Sequence, residues 1–344
     1  MFTFDFLTMA ASGVSSGLAI FKPLYWLFGK AMEGLLFAFG NRYFLALIVF
    51  TIVTRMILFP LNLRQQKTMA KTTRLQPKIQ KIQKKYANAK DPRDRQKMNE
   101  EMQALYQREG HNPMNMGCGP MVFQMIFLMG IIGIIYYPIQ YILGASTISD
   151  TENTKQIMDI ILPIYRTTVG DSDANITYFQ LNIIEHFDAY KDALVAGLPK
   201  LFTEDLCAKI ETFRTSLHLF GLDMTAIPHW KDGIIVIIPI LSFLTALGSS
   251  IESTLIQKKN NPAAGQQQSQ MMIMMLMMPV FSFYIAFKVP AAVGFYWIIS
   301  NLVAVVQQLV MAKFFPPKKN MAHEMIENTI QRRAREESIK KIKG

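Results

Sequence analysis

The sequence predicts an all-α membrane protein: a bundle of five transmembrane helices with a helical hairpin on one side and a helical insertion on the other. Three observations predict it. Apolar residues make up 51% of the 344-residue chain and charged residues only 18%, below the roughly 25% usual in a soluble domain. The apolar residues gather into five long stretches, each near the about 20 residues that a spanning helix needs. The segments between the stretches differ sharply in charge. Together with a mean hydropathy of +0.19, this excludes a disordered chain and an ordinary soluble enzyme. Two cysteines exclude a disulfide scaffold.

Residues 1–41 form an N-terminal segment. Within it, Leu18 to Phe39 reads as an amphipathic interfacial helix, because Lys22, Pro23, Lys30 and Glu33 interrupt the apolar patches. No basic n-region marks a secretory signal, and no early cysteine is available for a lipid anchor. The first span, 42–63, contains Arg55 and Pro60. Residues 64–111 carry apolar side chains at Leu75, Ile79, Ile82 and Tyr86, and again at Met98, Met102 and Leu105. With the turn signal Asp91-Pro92 between them, this predicts an antiparallel helical hairpin with a narrow seam. Pro77 marks a kink or restart of its first arm. The second span is 112–143. Residues 144–232 mix short apolar clusters with Asp, Asn and Thr and predict a small helical cap. The third span is 233–256, followed by a loop over 257–270. The fourth (271–288) and fifth (291–312) spans form a tight hairpin around Lys288-Val289-Pro290. A basic tail covers 313–344.

Orientation follows from lysine and arginine in the loops. The net charge of +11 is unevenly divided. Segment 64–111 has 13 Lys/Arg against 5 acids, loop 257–270 has 2 lysines and no acid, and the tail has 9 against 4. Segment 144–231 has 7 against 12. Across five spans this puts the N-terminus and the insertion outside, and the hairpin, short loop and C-terminus in the cytosol.

Enzyme signatures are weak. Gly13-Val14-Ser15-Ser16-Gly17 fits a nucleophile string but has only twelve residues before it, too few for a buried sheet. His323-Glu324 has no second histidine at zinc-protease spacing, and no glycine-rich phosphate loop is present. Asn175-Ile176-Thr177 matches a glycosylation string without further support. Cys118 and Cys207 fall on opposite sides of the membrane and should remain free thiols. No catalytic residue, metal site or cofactor is expected.

Arg55 is the residue that composition does not explain. It stands nine residues before Arg64, about 13 Å along a helix, near the middle of a hydrocarbon core about 30 Å thick. A charge there costs at least ~2.5 kcal/mol unless it faces protein or water. Snorkelling is disfavoured by the reach, and Glu252 in the third span is the one acid available for an ion pair. An arginine lining a wet cavity is the remaining reading. Thr51 lies one turn earlier on the same face. Gln124, Gln140, Ser242, Thr245, Asn301, Gln307 and Gln308 add polar groups that can serve as helix–helix contacts or cavity lining. The methionines at 271–278 suit either a lipid face or an adaptable apolar surface. The tail, with Arg332, Arg333, Lys340 and Lys341, reads as a positive-inside anchor that can also meet anionic lipid or RNA.

Several blocks in order resemble the YidC/Oxa/Alb membrane-protein insertases in their five-span bacterial, Gram-positive-like form. They are Thr51-Ile52-Val53-Thr54-Arg55 with Phe59-Pro60-Leu61; Met69-Ala70-Lys71 to Leu75-Gln76-Pro77-Lys78; Asn112-Pro113 into Gly117-Cys118-Gly119-Pro120 and Gln124-Met125; Phe220-Gly221-Leu222-Asp223-Met224-Thr225; and Val289-Pro290-Ala291 to Phe295-Tyr296-Trp297-Ile298-Ile299-Ser300-Asn301-Leu302. The resemblance implies a hydrophilic groove open to cytosol and lipid, lined by Arg55, Thr51, Tyr296, Trp297 and Gln124. It implies that the hairpin (Lys78, Lys81, Lys84, Lys85) and tail meet lipid or the partners that deliver substrates. It implies nascent membrane proteins and the lipid bilayer as partners, with the Sec translocon, the ribosome and the signal recognition particle system as further ones, in a bacterial plasma membrane. A small-solute transporter and an assembly scaffold are the alternatives. The insertion at 144–232 is much longer than the connection usual in that family.

Overall fold

The computed structural model describes residues 21–86, 91–108, 126–169, 176, 178–219, 221–260, 277, 279–315, 326, 329–330 and 333–334, with backbone alone at 65–74, 76–77 and 257–260. Helices dominate. They are α1 (Lys22–Ala38), α2 (Tyr43–Lys85), α3 (Pro92–Arg108), α4 (Ile126–Tyr136), α5 (Pro138–Tyr141), α6 (Thr151–Val169), α7 (Phe179–Glu185), α8 (Phe187–Gly197), α9 (Glu204–Ser216), α10 (Ile237–Asn260), α11 (279–286) and α12 (Ala291–Phe314). A two-stranded antiparallel ribbon, β1 (His218–Leu219) with β2 (Leu222–Asp223), follows α9. A 3-10 turn, Gly233–Val236, leads into α10.

Among the described residues, three helical stretches are long and apolar enough to cross a membrane: Tyr43–Arg64, Gly233–Ile256 and Ala291–Phe314. They coincide with the first, third and fifth expected spans. The second and fourth are described only in part. The first span and the first hairpin arm are one helix, α2, which runs through Pro60 and Pro77 without restarting. The chain divides into two compact units. The first comprises Met1–Thr54, Met125–Ala246 and Val280–Asn301; the second comprises Arg55–Gln124, Leu247–Pro279 and Leu302–Gly344.

In the first unit, α1 starts with Pro23 in its first turn, where a missing N–H costs nothing. It buries Tyr25, Phe28, Gly29, Met32 and Leu36 and leaves Trp26, Leu27 and Phe37 exposed. Gly40 and Asn41, both at positive φ, turn the chain into α2, and the Asn41 N–H reaches back to the Leu36 carbonyl at 2.7 Å. Glycine lets α1 and its neighbours approach closely. A Cβ on Gly29 would lie 2.2 Å from the Tyr141 carbonyl oxygen. Edge-to-face ring pairs fill the contact, Phe28 with Phe127 and Phe50, and Tyr25 with Tyr141.

The insertion, α6 to β2, has its own apolar centre at Ile157, Ile161, Leu181, Phe187, Tyr190, Leu194, Ile210 and Phe213. Thr203 caps α9 by accepting the Leu206 N–H. Two devices tie the insertion to the helices that flank it in sequence. Gln180 is wholly buried; its side-chain oxygen accepts the Gln140 N–H in α5, and its amide donates to Ser149 Oγ. The Ala226 and Met224 carbonyls accept the Ala291 and Ala292 N–H groups, each at 2.9 Å. Those are first-turn donors of α12 that have no partner inside the helix. Tyr178 adds a hydrogen bond to the Lys288 carbonyl.

A group of titratable side chains lies where α7, α9 and the ribbon meet. Arg214 pairs with Asp188. His218 lies 3.7 Å from Asp223, which also accepts the Thr225 N–H and hydroxyl. Burial first, and then the charge of Asp223, push the Glu185 carboxyl up to about 7 against the opposing charge of Arg214. Burial lowers the His186 pKa; Asp223 opposes and Arg214 adds to the lowering.

Two outcomes test this packing. Gly29→Ala should destabilise the protein by about 1–3 kcal/mol, because carbonyl and backbone cannot yield cheaply. Gly34→Ala in the same helix, with open space at its Cβ, should be neutral or gain up to about 1 kcal/mol. Thermal unfolding of the purified protein in detergent separates the two. Glu185 is disfavoured in its ionised form, so its protonated state supports the fold below the ordinary carboxyl value. That support is lost as pH rises through about 7. Glu185→Gln should therefore slow hydrogen exchange in α7 and α9 relative to wild type at pH 8, and the difference should vanish near pH 4.

Candidate functional site

The site expected from the sequence centres on Arg55 in α2. The helix persists through this position, and Arg55 is half-buried. Thr51, one turn earlier, is only 1% exposed, and its hydroxyl donates to the Leu47 carbonyl at 2.7 Å. Thr54 donates to Phe50 and Thr51 carbonyls. Both threonine protons are thus spent inside α2, which leaves only lone pairs for any other contact. Thr51 falls in the first unit and Arg55 in the second. In α12, Tyr296 is buried and Trp297 is half-buried against the core. Gln124 lies outside the described residues.

Polar side chains join α10 and α12 within each unit. In the first, Asn301 donates to Thr245 Oγ1 at 3.3 Å, and Thr245 donates to the Leu241 carbonyl. In the second, Ser253 donates to Gln308 Oε1 at 2.9 Å. Hydrogen bonds of this kind hold spanning helices together. Ser242 is fully buried, and its hydroxyl has no partner among the described residues. Neither carboxylate oxygen of Glu252 has a hydrogen-bond partner among them either, though both are shielded from solvent. The ion pair that the sequence offered Arg55 is therefore not formed as a hydrogen-bonded contact. The sequence offered Glu252 as an ion-pair partner for Arg55 and gave no sign that its oxygens would lack a donor among the described residues.

The hairpin belongs to the second unit. Asp91 accepts the Arg93 N–H through its side chain, and its carbonyl accepts the Asp94 N–H, which starts α3. Leu75 and Ile79 are buried, and Met98, Met102 and Leu105 are half-buried. Lys78, Lys81 and Lys84 are exposed. Lys85 is not an unengaged cation: it pairs with Glu101, which also accepts the Tyr86 hydroxyl at 3.0 Å. The Glu101 hydrogen bond, then that of Tyr86, holds Lys85 above its ordinary value, and Lys85 in turn holds Glu101 below its own. Arg333 is exposed; Arg332, Lys340 and Lys341 lie outside the described residues. Cys207 is a buried free thiol in α9, and Cys118 is not described. Among the described residues no three metal-ligating side chains converge.

The family model described as the 60Kd inner membrane protein matches residues 35–319. The membrane protein insertase YidC 2 of Listeria innocua is 38% identical over 126 residues, 37% of this chain and 42% of that protein. The membrane protein insertase YidC of Oceanobacillus iheyensis is 35% identical over 119 residues, 35% and 44% of the two chains. The membrane protein insertase MisCA of Bacillus subtilis is 38% identical over 91 residues, 26% and 34%. The chain spans less than half the length of these curated relatives.

Proposed function

The chain belongs to the 60Kd inner membrane protein family, the family of the YidC-type insertases, and from that premise we propose that it is a membrane-protein insertase. It receives nascent transmembrane segments from the cytosol and passes them into the bilayer, alone or with the Sec translocon. The N-terminus and the insertion lie outside; the hairpin and tail lie in the cytosol. Arg55, Thr51, Gln124, Tyr296 and Trp297 line a hydrophilic groove among five spans. The exposed Lys78, Lys81 and Lys84 face anionic lipid, the ribosome or the signal recognition particle system, together with the basic tail.

The observation that carries this reading is Arg55, half-buried in the interior of an apolar helix long enough to span. A substrate's acidic or polar tail must cross a low-dielectric layer. A wet groove shortens that layer, and a fixed guanidinium offers the tail a counter-charge. Burial of the substrate's apolar segment in lipid and the membrane potential supply the driving force. The aromatic side chain of Trp297 gives the passing segment an apolar contact. Nothing among the described residues favours a solute transporter or a scaffold.

Arg55 substitutions test the groove by complementation of a strain depleted of the protein. Arg55→Lys keeps the charge and should retain activity. Arg55→Glu should lower insertion of a substrate with an acidic tail by at least about tenfold, the factor that corresponds to 1.4 kcal/mol. Full activity from Arg55→Glu would overturn the mechanism.

A further inference from the structure

Glu252 in α10 is a charged group that the insertase reading does not use. It lies four residues before Ile256, the last residue of the apolar span, about 6 Å of helix from that end. Its neighbour Ser253 is already engaged with Gln308. Its own two oxygens are shielded from solvent and meet no hydrogen-bond donor among the described residues. A carboxylate can only accept hydrogen bonds, so no carbonyl of its own helix can satisfy it. Acids inside spans are rare, and those present mark a pathway or await a partner.

The chemistry of the missing partner is narrow: a cation or a strong donor, near the inner end of a span. An apolar segment that comes to rest in a membrane carries an excess of lysine and arginine on its cytosolic flank. The stem of such a side chain is long enough to cover the about 6 Å of helix between the inner end of the span and Glu252. Arg55, a cation itself, cannot receive them. We propose that Glu252 is a binding site for the basic residues that flank the inner end of an inserting segment. The proposal rests on the insertase reading and its orientation. It makes the protein sensitive to both ends of a substrate, with acid attracted at Arg55 and base at Glu252.

The full-length protein in liposomes tests this with two reporters, each a single segment of about 20 apolar residues. One carries two lysines at its cytosolic flank and the other two glutamines. Wild type should insert the lysine reporter about tenfold better, as close charge pairs allow. Glu252→Gln, nearly isosteric, should erase that preference while leaving the glutamine reporter unchanged. Carbodiimide coupling in the wild-type protein reads the same contact without a variant. Mass spectrometry should find an amide bond between Glu252 and a reporter lysine. A preference that survives Glu252→Gln, or coupled peptides that never include Glu252, would overturn the site. Failure of wild type to insert either reporter would instead sink the insertase reading, and this proposal with it.

Discussion

A polar group carried into an apolar span must find a partner or water, because the hydrocarbon offers neither. The described parts of the spans meet this demand in tiers. Hydroxyls turn inward on their own helix: Thr51, Thr54 and Thr245 all donate to carbonyls three or four residues back. Amides need a second helix, and Asn301 and Gln308 find Thr245 and Ser253 across the α10–α12 contacts. Carboxylates have neither recourse. Glu252 is the acceptor that no donor among the described residues satisfies.

The same demand applies at helix ends, and here the insertion supplies the answer. An α-helix leaves its first N–H groups unpaired. The chain just after the ribbon offers the Met224 and Ala226 carbonyls to α12, and Gln180 offers its side-chain oxygen to α5. These bonds fix where α5 and α12 begin. Tyr43 packs on Phe213 and Phe44 on Phe295, both edge to face, so the insertion's apolar centre runs without a break into that of the helices beside it. A segment that composition marks only as acidic and mixed is thus the mount for two helices.

What the sequence revealed follows from what is local. The amphipathic face of α1, the Asp91-Pro92 start of α3 and the seam at Leu75 and Ile79 depend on spacing and turn chemistry, and all were readable. The unbroken run of α2 through Pro60 and Pro77 was not, because proline weighs against helix locally and only the context of a long helix overrides it. Gln180 was invisible for another reason. Nothing near it in sequence separates a buried glutamine that bridges forty residues to Gln140 from a solvated one. The site was legible as a list and not as an arrangement. Arg55 stood out by its depth. That the Thr51 hydroxyl is spent on Leu47, that Lys85 is bound to Glu101 and that Glu252 meets no hydrogen-bond donor among the described residues required coordinates.

The two units differ in how they are held, and this bears on what each can do. The first has an aromatic and aliphatic core that reaches from Met32 to Phe213. In the second, the buried apolar side chains among the described residues are few, chiefly Leu75 and Ile79, while Met56, Ile57, Leu255, Val306 and Leu309 are exposed. Exposed groups of that size on spanning helices find their cover in lipid tails, which attract them no more strongly than they attract one another. Apolar side chains exposed in this way can change neighbours at little cost, whereas interlocked rings cannot. Arg55 and Glu252, the charges to which the two proposals assign the ends of a substrate, both belong to the second unit. The packed core fixes the starts of α5 and α12, and on the proposed function the exposed apolar faces of the second unit are what a passing segment would meet.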